Sequence, residues 1–481
     1  MPESWASLDL HLNWTPTRRP AQALGDALRA AIRGGQLPPG AALPSTRALA
    51  GDLAVARGTV SAVYADLAAE GYLTIRHGAP TRVAAGVLAR QSVADRAATA
   101  GEPAPRWTLS PSQPDVSAFP RAAWAAATRR VVTRVPAEAL GYADPFGHPA
   151  LRAALAGYLR RARGVLATPQ QVIIGVGFAH LLAWWAHVGK ARGIADVSFE
   201  DPSLPALRAI VAASGLRLHG VEVDDDGLRV CDIDAPAVVV TPAHHYPLGV
   251  TLEPARRAGL ARRAVESGLL VLEDDYDGEF RFDRRPVGAL QALAPDHIVY
   301  AGTTSKTLAP GLRLGWLVVP PRLTGEFREA AAVFGERHAS VIDQLVLADL
   351  IETGAYDRHI RRMRAAYRRR RDRVLAVVNP ALLPPAGIAA GLHLALRFPP
   401  GGPGDAAILE AARRHSLAVG LLRPTWIDPA GRPGGIVVGF AAPAEHAFGP
   451  ALAALRATLA DLGRRYVMLP DSRSAEASSE L

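Results

Sequence analysis

The chain has 481 residues, of which 49% are hydrophobic and 21% are charged, and its formal net charge is +9. This length exceeds what one hydrophobic core supports, and the composition is that of a folded, multidomain protein rather than a disordered one. The longest apolar candidate, residues 178–188, is too short to cross a bilayer and contains two histidines. The first residues lack the pattern of a secretory signal, and the single cysteine, Cys231, suits a reducing cytoplasm.

Residues 17–84 predict a small α+β domain in which three helices precede a hairpin. Ser45 is a plausible cap for the second helix. The predicted elements are helices 22–32, 46–53 and 58–69 and strands 72–76 and 81–83. This order is that of a winged helix-turn-helix, in which the last helix enters the major groove of DNA.

The segment 37–83, LPPGAALPSTRALAGDLAVARGTVSAVYADLAAEGYLTIRHGAPTRV, closely resembles the winged helix of the GntR family. Tyr64 is expected to pack in the core. Residues at the amino end of the recognition helix read base edges, and the family pattern adds contacts from the preceding helix and the wing. The predicted DNA-contacting residues are Arg47, Arg57, Thr59, Ser61 and His77. Outside such a motif, Arg47 and Arg57 would be ordinary solvated arginines.

Beyond a predicted linker, 85–106, residues 107–467 alternate short apolar runs with amphipathic helices. Continuously apolar runs are typical of strands buried on both faces, so we expect a large α/β domain with a mostly parallel sheet. The clearest runs are 172–174, 238–240, 269–272, 297–300 and 316–319. Residues 468–481 are small and polar and predict a disordered tail.

Only two of the 54 basic residues are lysines, Lys190 and Lys306. A lysine amine can be deprotonated and form an imine, whereas arginine stays charged, so each lysine is a candidate for chemistry. Lys190 ends an apolar helical run and is better explained as a helix-end cation. Lys306 lies in VYAGTTSKTLAPGLRLGW (299–316), which resembles the cofactor-lysine segment of fold-type I pyridoxal-phosphate enzymes in the form seen in the MocR branch of the GntR family.

This resemblance implies that Lys306 forms a Schiff base with pyridoxal 5'-phosphate and that Thr303 and Arg313 bind its phosphate, with Ser305 as a weaker candidate. In LEDDYDGEFRF (272–282), Asp274 matches the carboxylate that pairs with the pyridinium nitrogen, and Tyr276 matches the tyrosine that hydrogen-bonds the ring oxygen. The same acidic cluster is open to two other interpretations, a metal site or a solvated turn.

Three further segments match the family. In GYADPFGHPALR (141–152), Tyr142 corresponds to a tyrosine that reaches the phosphate of the neighbouring subunit, which implies a homodimer. In GVGFAH (175–180), the backbone of Gly177 and Phe178 suits a phosphate at a helix start. In TPAHHYPLG (241–249), His245 stands in the ring-side loop where glutamine is more usual. A metal pair of His244 and His245 is disfavoured because no carboxylate or cysteine partner is suggested nearby, so we expect no metal.

Three positions depart from an aminotransferase. Leu204 replaces the aromatic residue that stacks on the cofactor ring, and Ala179 replaces a polar residue. GGIVVGF (434–440) lacks the arginine that clamps a substrate carboxylate, and only Arg423 or Arg432 could substitute. These changes favour a sensor over an efficient transaminase.

The leading hypothesis is a cytoplasmic, DNA-binding, homodimeric regulator that binds pyridoxal phosphate and responds to it or to an amine or amino acid, through the linker between the domains. An alternative is an active aminotransferase with an attached DNA-binding domain. A third hypothesis gives the large domain a role in dimerisation alone, which the retained Lys306, Asp274, Tyr276 and Arg313 disfavour.

Overall fold

A computed structural model describes residues 19–76, 78–84, 104–111, 113–142, 144–283, 287–334, 339–378 and 383–465. The chain divides into two compact units, residues 1–104 and 105–481. Within the described residues, no helix is long and apolar enough to cross a membrane. The predicted tail and most of the predicted linker lie outside the described residues, as does His77, so these predictions are untested.

The amino-terminal unit contains three helices and a two-stranded hairpin, in the predicted order. Its elements are α1 (Pro20–Arg33), α2 (Thr46–Asp52), α3 (Arg57–Ala69), β1 (Leu73–Thr74) and β2 (Arg82–Val83). The Ser45 hydroxyl accepts a hydrogen bond from the Ala48 amide at 3.2 Å, which confirms the predicted cap. The helices lie close to their predicted bounds, whereas both strands are shorter than predicted.

The core of this unit is formed by one face of α3 against α1 and the hairpin. Val60, Val63, Tyr64 and Leu67 are buried, as their helical spacing predicts. The Tyr64 hydroxyl donates a hydrogen bond to the Pro44 carbonyl at 2.9 Å. Tyr64 therefore belongs to the core, and the opposite face of α3 is left for solvent or a ligand.

The carboxy-terminal unit is built on an eight-stranded sheet in the order β4-β11-β10-β9-β8-β5-β6-β7. Strand β11 runs antiparallel to both of its neighbours and β7 runs antiparallel to β6, while the other pairs are parallel, as predicted. The strands are β4 (Val172–Gly175), β5 (Asp196–Asp201), β6 (Arg217–Asp224), β7 (Gly227–Leu228), β8 (Ala237–Val240), β9 (Leu270–Asp274), β10 (Ile298–Thr303) and β11 (Gly315–Val318).

Helices cover both faces of this sheet, because successive residues of each central strand point to opposite sides. In β10, Val299 and Ala301 pack in one core, whereas Tyr300 packs in another on the opposite face. The helices before the final segment are α4 (Arg121–Val132), α5 (Pro149–Arg163), α6 (Phe178–Ala191), α7 (Pro205–Ala213), α8 (Pro254–Ser267), α9 (Thr324–Phe334), α10 (Val341–Glu352) and α11 (Ala355–Leu375).

A second, five-stranded sheet in the order β12-β13-β15-β14-β3 was not predicted. Its edge strand β3 pairs in parallel with β14, which lies some three hundred residues later in the chain, so no local pattern could indicate the pairing. The elements are β3 (Trp107–Leu109), β12 (Pro385–Ala386), β13 (His393–Arg397), α12 (Asp405–Arg414), β14 (Leu417–Leu421), β15 (Gly435–Gly439) and α13 (Glu445–Arg465).

Candidate functional site

A cavity opens at the carboxyl ends of β5, β8, β9 and β10, with about 890 Å³ of empty space including its mouth. The carboxyl edge of parallel strands is where α/β folds bind ligands. Most of the predicted cofactor residues line this one cavity: Phe178, Asp274, Tyr276, Thr303, Ser305, Lys306 and Arg313. These residues span more than one hundred positions of the sequence, from Phe178 to Arg313, and the sheet brings them together.

Lys306 follows the end of β10 and is partly buried in the cavity. Burial lowers the pKa of its amine, against the opposing effect of Asp274 and Asp277. The next turn is fixed, because Thr307 shares a hydrogen bond of 2.8 Å with the Tyr356 hydroxyl and its carbonyl lies 2.8 Å from His359 Nε2. An amine whose pKa is lowered by burial loses its proton more readily, and the deprotonated amine is the form that condenses with an aldehyde.

Asp274 is the last residue of β9 and presents a buried carboxylate to the cavity. Its Oδ1 makes no hydrogen bond with any residue that the structure describes. Burial, and then the neighbouring Asp275, raise the pKa of this carboxyl well above its usual range. A buried acceptor of this kind needs a proton donor, and the protonated ring nitrogen of a pyridoxal group meets that need.

The neighbours of Asp274 are held on the other side of the strand. The Asp275 carboxylate forms a buried ion pair with Arg163, with Nε to Oδ2 at 2.6 Å, and accepts a hydrogen bond from Tyr300 at 2.8 Å. The Glu273 carboxylate accepts backbone hydrogen bonds from Leu290 and Gln291, both at 2.8 Å. These contacts fix the strand end, and therefore the positions from which Asp274 and Tyr276 enter the cavity.

The start of α6 forms the opposite, anion-suited part of the site. Gly177 has φ +82° and precedes the first turn, whose amides have no side-chain cap. Arg313 donates a hydrogen bond to the Val176 carbonyl at 3.0 Å, and a Cβ on residue 177 would lie 3.4 Å from the Arg313 guanidinium carbon. The Thr303 and Ser305 hydroxyls are 2.9 Å apart. Amides at a helix start, hydroxyls and a guanidinium together suit a phosphate.

Three predicted site residues do not line the cavity. Tyr142 is 92% exposed. His245 is buried behind the wall, where its Nε2 lies 3.0 Å from the Pro202 carbonyl and desolvation lowers its pKa to about 3. Gly177 is adjacent to Arg313 but is not among the residues that line the cavity.

The departures from an aminotransferase lie in the cavity wall as well. Leu204 and Ala179 both line it, and the aromatic side chains there belong to Phe178, Phe199, Tyr246 and Tyr276. Neither Arg423 nor Arg432 contributes to the lining. Arg423 donates to the Arg432 carbonyl at 3.2 Å, and the Arg432 guanidinium stacks 4.4 Å from the centre of the Trp426 ring. Among the residues described, the basic groups of the cavity are therefore Lys306 and Arg313.

The sequence analysis missed other cavity residues, including Glu200 at the end of β5 and Thr241 and Tyr246 after β8. Glu200 accepts hydrogen bonds from the Thr241 amide at 3.0 and 3.1 Å, and burial raises the pKa of its carboxyl to about 7. The available signal was their position at carboxyl ends of predicted parallel strands. That signal becomes useful only when the strand order is known.

The premise for expecting no metal at His244 is wrong. The sequence suggested no carboxylate near this histidine, but the Asp277 Oδ2 lies 2.9 Å from His244 Nδ1. His393, from the small sheet, also contacts the His244 ring.

In the amino-terminal unit, Arg47, Arg57 and Ser61 are exposed, and Thr59 is half-buried. Arg57 is the first residue of α3, and its Nε lies 3.4 Å from the hydroxyl of Thr46, the first residue of α2. The first turn of α3 carries no acidic residue. Among the described residues, neither Arg47 nor Arg57 forms an ion pair with a carboxylate that would compete with phosphate at this end of the helix.

Comparison with known proteins identifies both units. Residues 20–83 match the family model of bacterial regulatory proteins, gntR family, and residues 109–398 match that of aminotransferase class I and II. The chain is 35% identical over 401 residues to the probable rhizopine catabolism regulatory protein MocR of Rhizobium meliloti, covering 78% of this chain and 81% of that protein. It is 33% identical over 444 residues to the HTH-type pyridoxine biosynthesis transcriptional regulator PdxR of Corynebacterium glutamicum, covering 90% and 95%.

Among solved structures, an archaeal alanine:glyoxylate aminotransferase matches with a TM-score of 0.68 and 22% identity, over 75% of this chain and 91% of that one. This likeness confirms the predicted aminotransferase-like fold of the large unit. The chain therefore belongs to the MocR-type members of the GntR family, and it is a transcription regulator in which a winged helix-turn-helix is joined to an aminotransferase-like domain.

Proposed function

We propose that this regulator binds pyridoxal 5'-phosphate through a Schiff base on Lys306 and that its DNA binding responds to the cofactor or to an amine or amino acid captured there. The observation that carries the proposal is the buried Asp274 Oδ1, which lacks a hydrogen-bond partner among the described residues and lines the same cavity as the Lys306 amine. The bound cofactor would supply an electron-withdrawing ring and an aldehyde.

Each residue has a defined task in this proposal. Asp274 would hold the ring nitrogen protonated, and Tyr276 would hydrogen-bond the ring oxygen. Thr303, Ser305, Arg313 and the first amides of α6 would hold the phosphate. The name of the Corynebacterium relative, a regulator of pyridoxine biosynthesis, favours the cofactor itself as one candidate effector.

The cavity supports sensing better than turnover. A substrate carboxylate is oriented for transamination by a bidentate arginine, and the described lining has no arginine besides Arg313, which is assigned to the phosphate. A site of this kind retains a ligand without the main contact that would orient it for repeated reaction.

The two lysines of the chain allow a direct test. We expect the full-length protein mixed with pyridoxal phosphate to show a visible absorbance band, and borohydride to fix the cofactor covalently. Lys306→Ala should lose both signals. Lys190→Ala is the matched control, because Lys190 lies at the end of α6 and donates to the Ser214 carbonyl at 3.1 Å. Covalent labelling of Lys306→Ala at the wild-type level would overturn the proposal.

Operator binding measured by fluorescence anisotropy tests the regulatory half. Added cofactor or amine should change the dissociation constant of wild type and Lys190→Ala but not that of Lys306→Ala. Steady keto-acid production from amino acids would instead support the aminotransferase hypothesis. Normal DNA binding with no cofactor uptake would support a large unit that serves dimerisation alone.

A further inference from the structure

A buried cluster of His244, Asp277 and His393 lies behind Tyr276, outside the lining of the cofactor cavity. One potential metal-ligand atom from each residue lies within 4.8 Å of the other two. The described part of the chain contains no other group of three or more histidine, cysteine or acidic residues placed in this way. The three residues are 3%, 2% and 2% exposed. Two imidazoles and a carboxylate are thus gathered in a place that bulk water does not reach.

The hydrogen bonds within the cluster leave several of its nitrogens without partners. His244 Nδ1 lies 2.9 Å from Asp277 Oδ2 and 3.3 Å from the Tyr276 hydroxyl. His244 Nε2 and both ring nitrogens of His393 make no hydrogen bond of normal geometry with any described residue. One His393 nitrogen interacts with the Pro247 carbonyl, so His244 Nε2 and the other His393 nitrogen are the buried atoms that need a partner other than a protein atom.

Packing holds the three side chains in place without a ligand. The His393 ring lies 5.0 Å from the ring of His244 and 5.0 Å from that of Tyr246. Gly391 has φ +73°, and a Cβ at that position would lie 2.0 Å from His244 Cε1 and 2.7 Å from Asp277 Oδ2. The cluster therefore occupies space that is kept open by a residue without a side chain.

We propose that His244, Asp277 and His393 bind a divalent transition metal of the zinc type. Two imidazole nitrogens and one carboxylate oxygen are a common donor set for zinc, with an open fourth position. Ligand atoms around a tetrahedral zinc are about 3.4 Å apart, which lies between the 2.9 Å from His244 Nδ1 to Asp277 Oδ2 and the 4.8 Å within which all three ligand atoms fall. A water molecule would complete the coordination as the fourth ligand.

The ligands come from three separate segments. His244 follows β8 and Asp277 follows β9 of the large sheet, whereas His393 begins β13 of the small sheet. A metal at this position would join the two sheets beside the tyrosine that faces the cofactor cavity. Metal binding should therefore stabilise the large unit, and this effect requires no cofactor.

The test uses full-length protein from which metal has been removed with a chelator. Cobalt(II) titration should give visible ligand-field bands with one equivalent bound, and zinc should abolish them and raise the thermal unfolding midpoint. His393→Phe keeps the aromatic packing and removes a ligand, and we expect at least a hundredfold weaker binding. Asp277→Asn provides a second variant with nearly the same shape.

The control is His219→Gln, which removes a surface histidine paired with Asp196 at 2.7 Å and so reports adventitious binding to a histidine–carboxylate pair. This variant should bind metal as wild type does. The proposal is overturned if wild type binds neither ion below millimolar concentration, as a cluster that holds only water would. It is also overturned if His393→Phe and Asp277→Asn bind as tightly as wild type.

Discussion

At the scale of single residues, the large unit is unusual for its buried acids. Glu200, Glu273 and Glu279 are all buried, and desolvation raises the pKa of each carboxyl. Glu200 has the simplest surroundings, because its hydrogen bonds come from Thr241 and burial brings its pKa to about 7. The folded state therefore holds this proton over a range in which the unfolded chain has released it, and stability falls as pH rises from about 4.5 to 7.

Glu200→Gln should remove that dependence. The variant loses part of the bond to Thr241 and is less stable than wild type near pH 5. As pH rises to 8, wild type alone has the penalty of burying a charge, so the difference in free energy of unfolding should shift by about 2 to 3 kcal/mol in favour of the variant. Urea unfolding of cofactor-free protein followed by tryptophan fluorescence measures it. Exposed Glu266→Gln is the control, and a difference that does not vary with pH would contradict the prediction.

At the scale of elements, the sequence predicted a helix correctly where residues within or next to that helix mark its start and its end. The helices α1, α2 and α3 match the predicted ones because apolar spacing and the Ser45 cap are short-range features. The small sheet was missed because β3 and β14 are brought together only by the completed fold. The exposed start of α3 beside α2 is the surface on which DNA contact is expected.

Replacing Arg47 and Arg57 together with alanine should weaken operator binding by about tenfold to a hundredfold for each arginine that reads a base or a phosphate. The loss should be smaller at high salt if the contacts are to phosphate. Anisotropy titrations at two salt concentrations measure this effect. Arg33→Ala is the matched control, since Arg33 ends α1 and its Nε bonds the Tyr72 hydroxyl at 2.8 Å. Equal affinity of the double variant and wild type would rule out this surface.

At the scale of the whole molecule, some residues of the site lie together in one sequence segment, whereas others come from distant segments. Lys306, Thr303, Ser305 and Arg313 share one short segment, so a motif was enough to group them. Glu200 and His393 have no such neighbours, and their positions in the cavity wall and in the buried cluster follow only from sheet order and from the packing of the small sheet. Tyr142 presents the opposite case, since its motif is clear but its side chain is 92% exposed.

If Tyr142 acts on the phosphate of a partner subunit, Tyr142→Ala should weaken cofactor binding by about tenfold or more, as loss of a hydrogen bond to a charged group does. Heterodimers of Tyr142→Ala and Lys306→Ala chains should then regain one intact site, formed by Lys306 of one chain and Tyr142 of the other. Cofactor absorbance of co-expressed chains, with sedimentation to establish the dimer, measures the recovery. No recovery in a verified heterodimer would contradict action between subunits.

The edge strand β3 also determines how movement could leave the large unit. It is the first strand after the segment that joins the two units, and it is secured to β14 along its whole length, with the Trp107 amide donating to the Ser416 carbonyl at 2.9 Å just outside the strand pairing. If the small sheet rotates, Trp107 at the start of β3 must move with it, and so must the end of the segment that joins the two units. A ligand that shifted this sheet would therefore displace the point at which the chain enters the large unit from the DNA-binding unit.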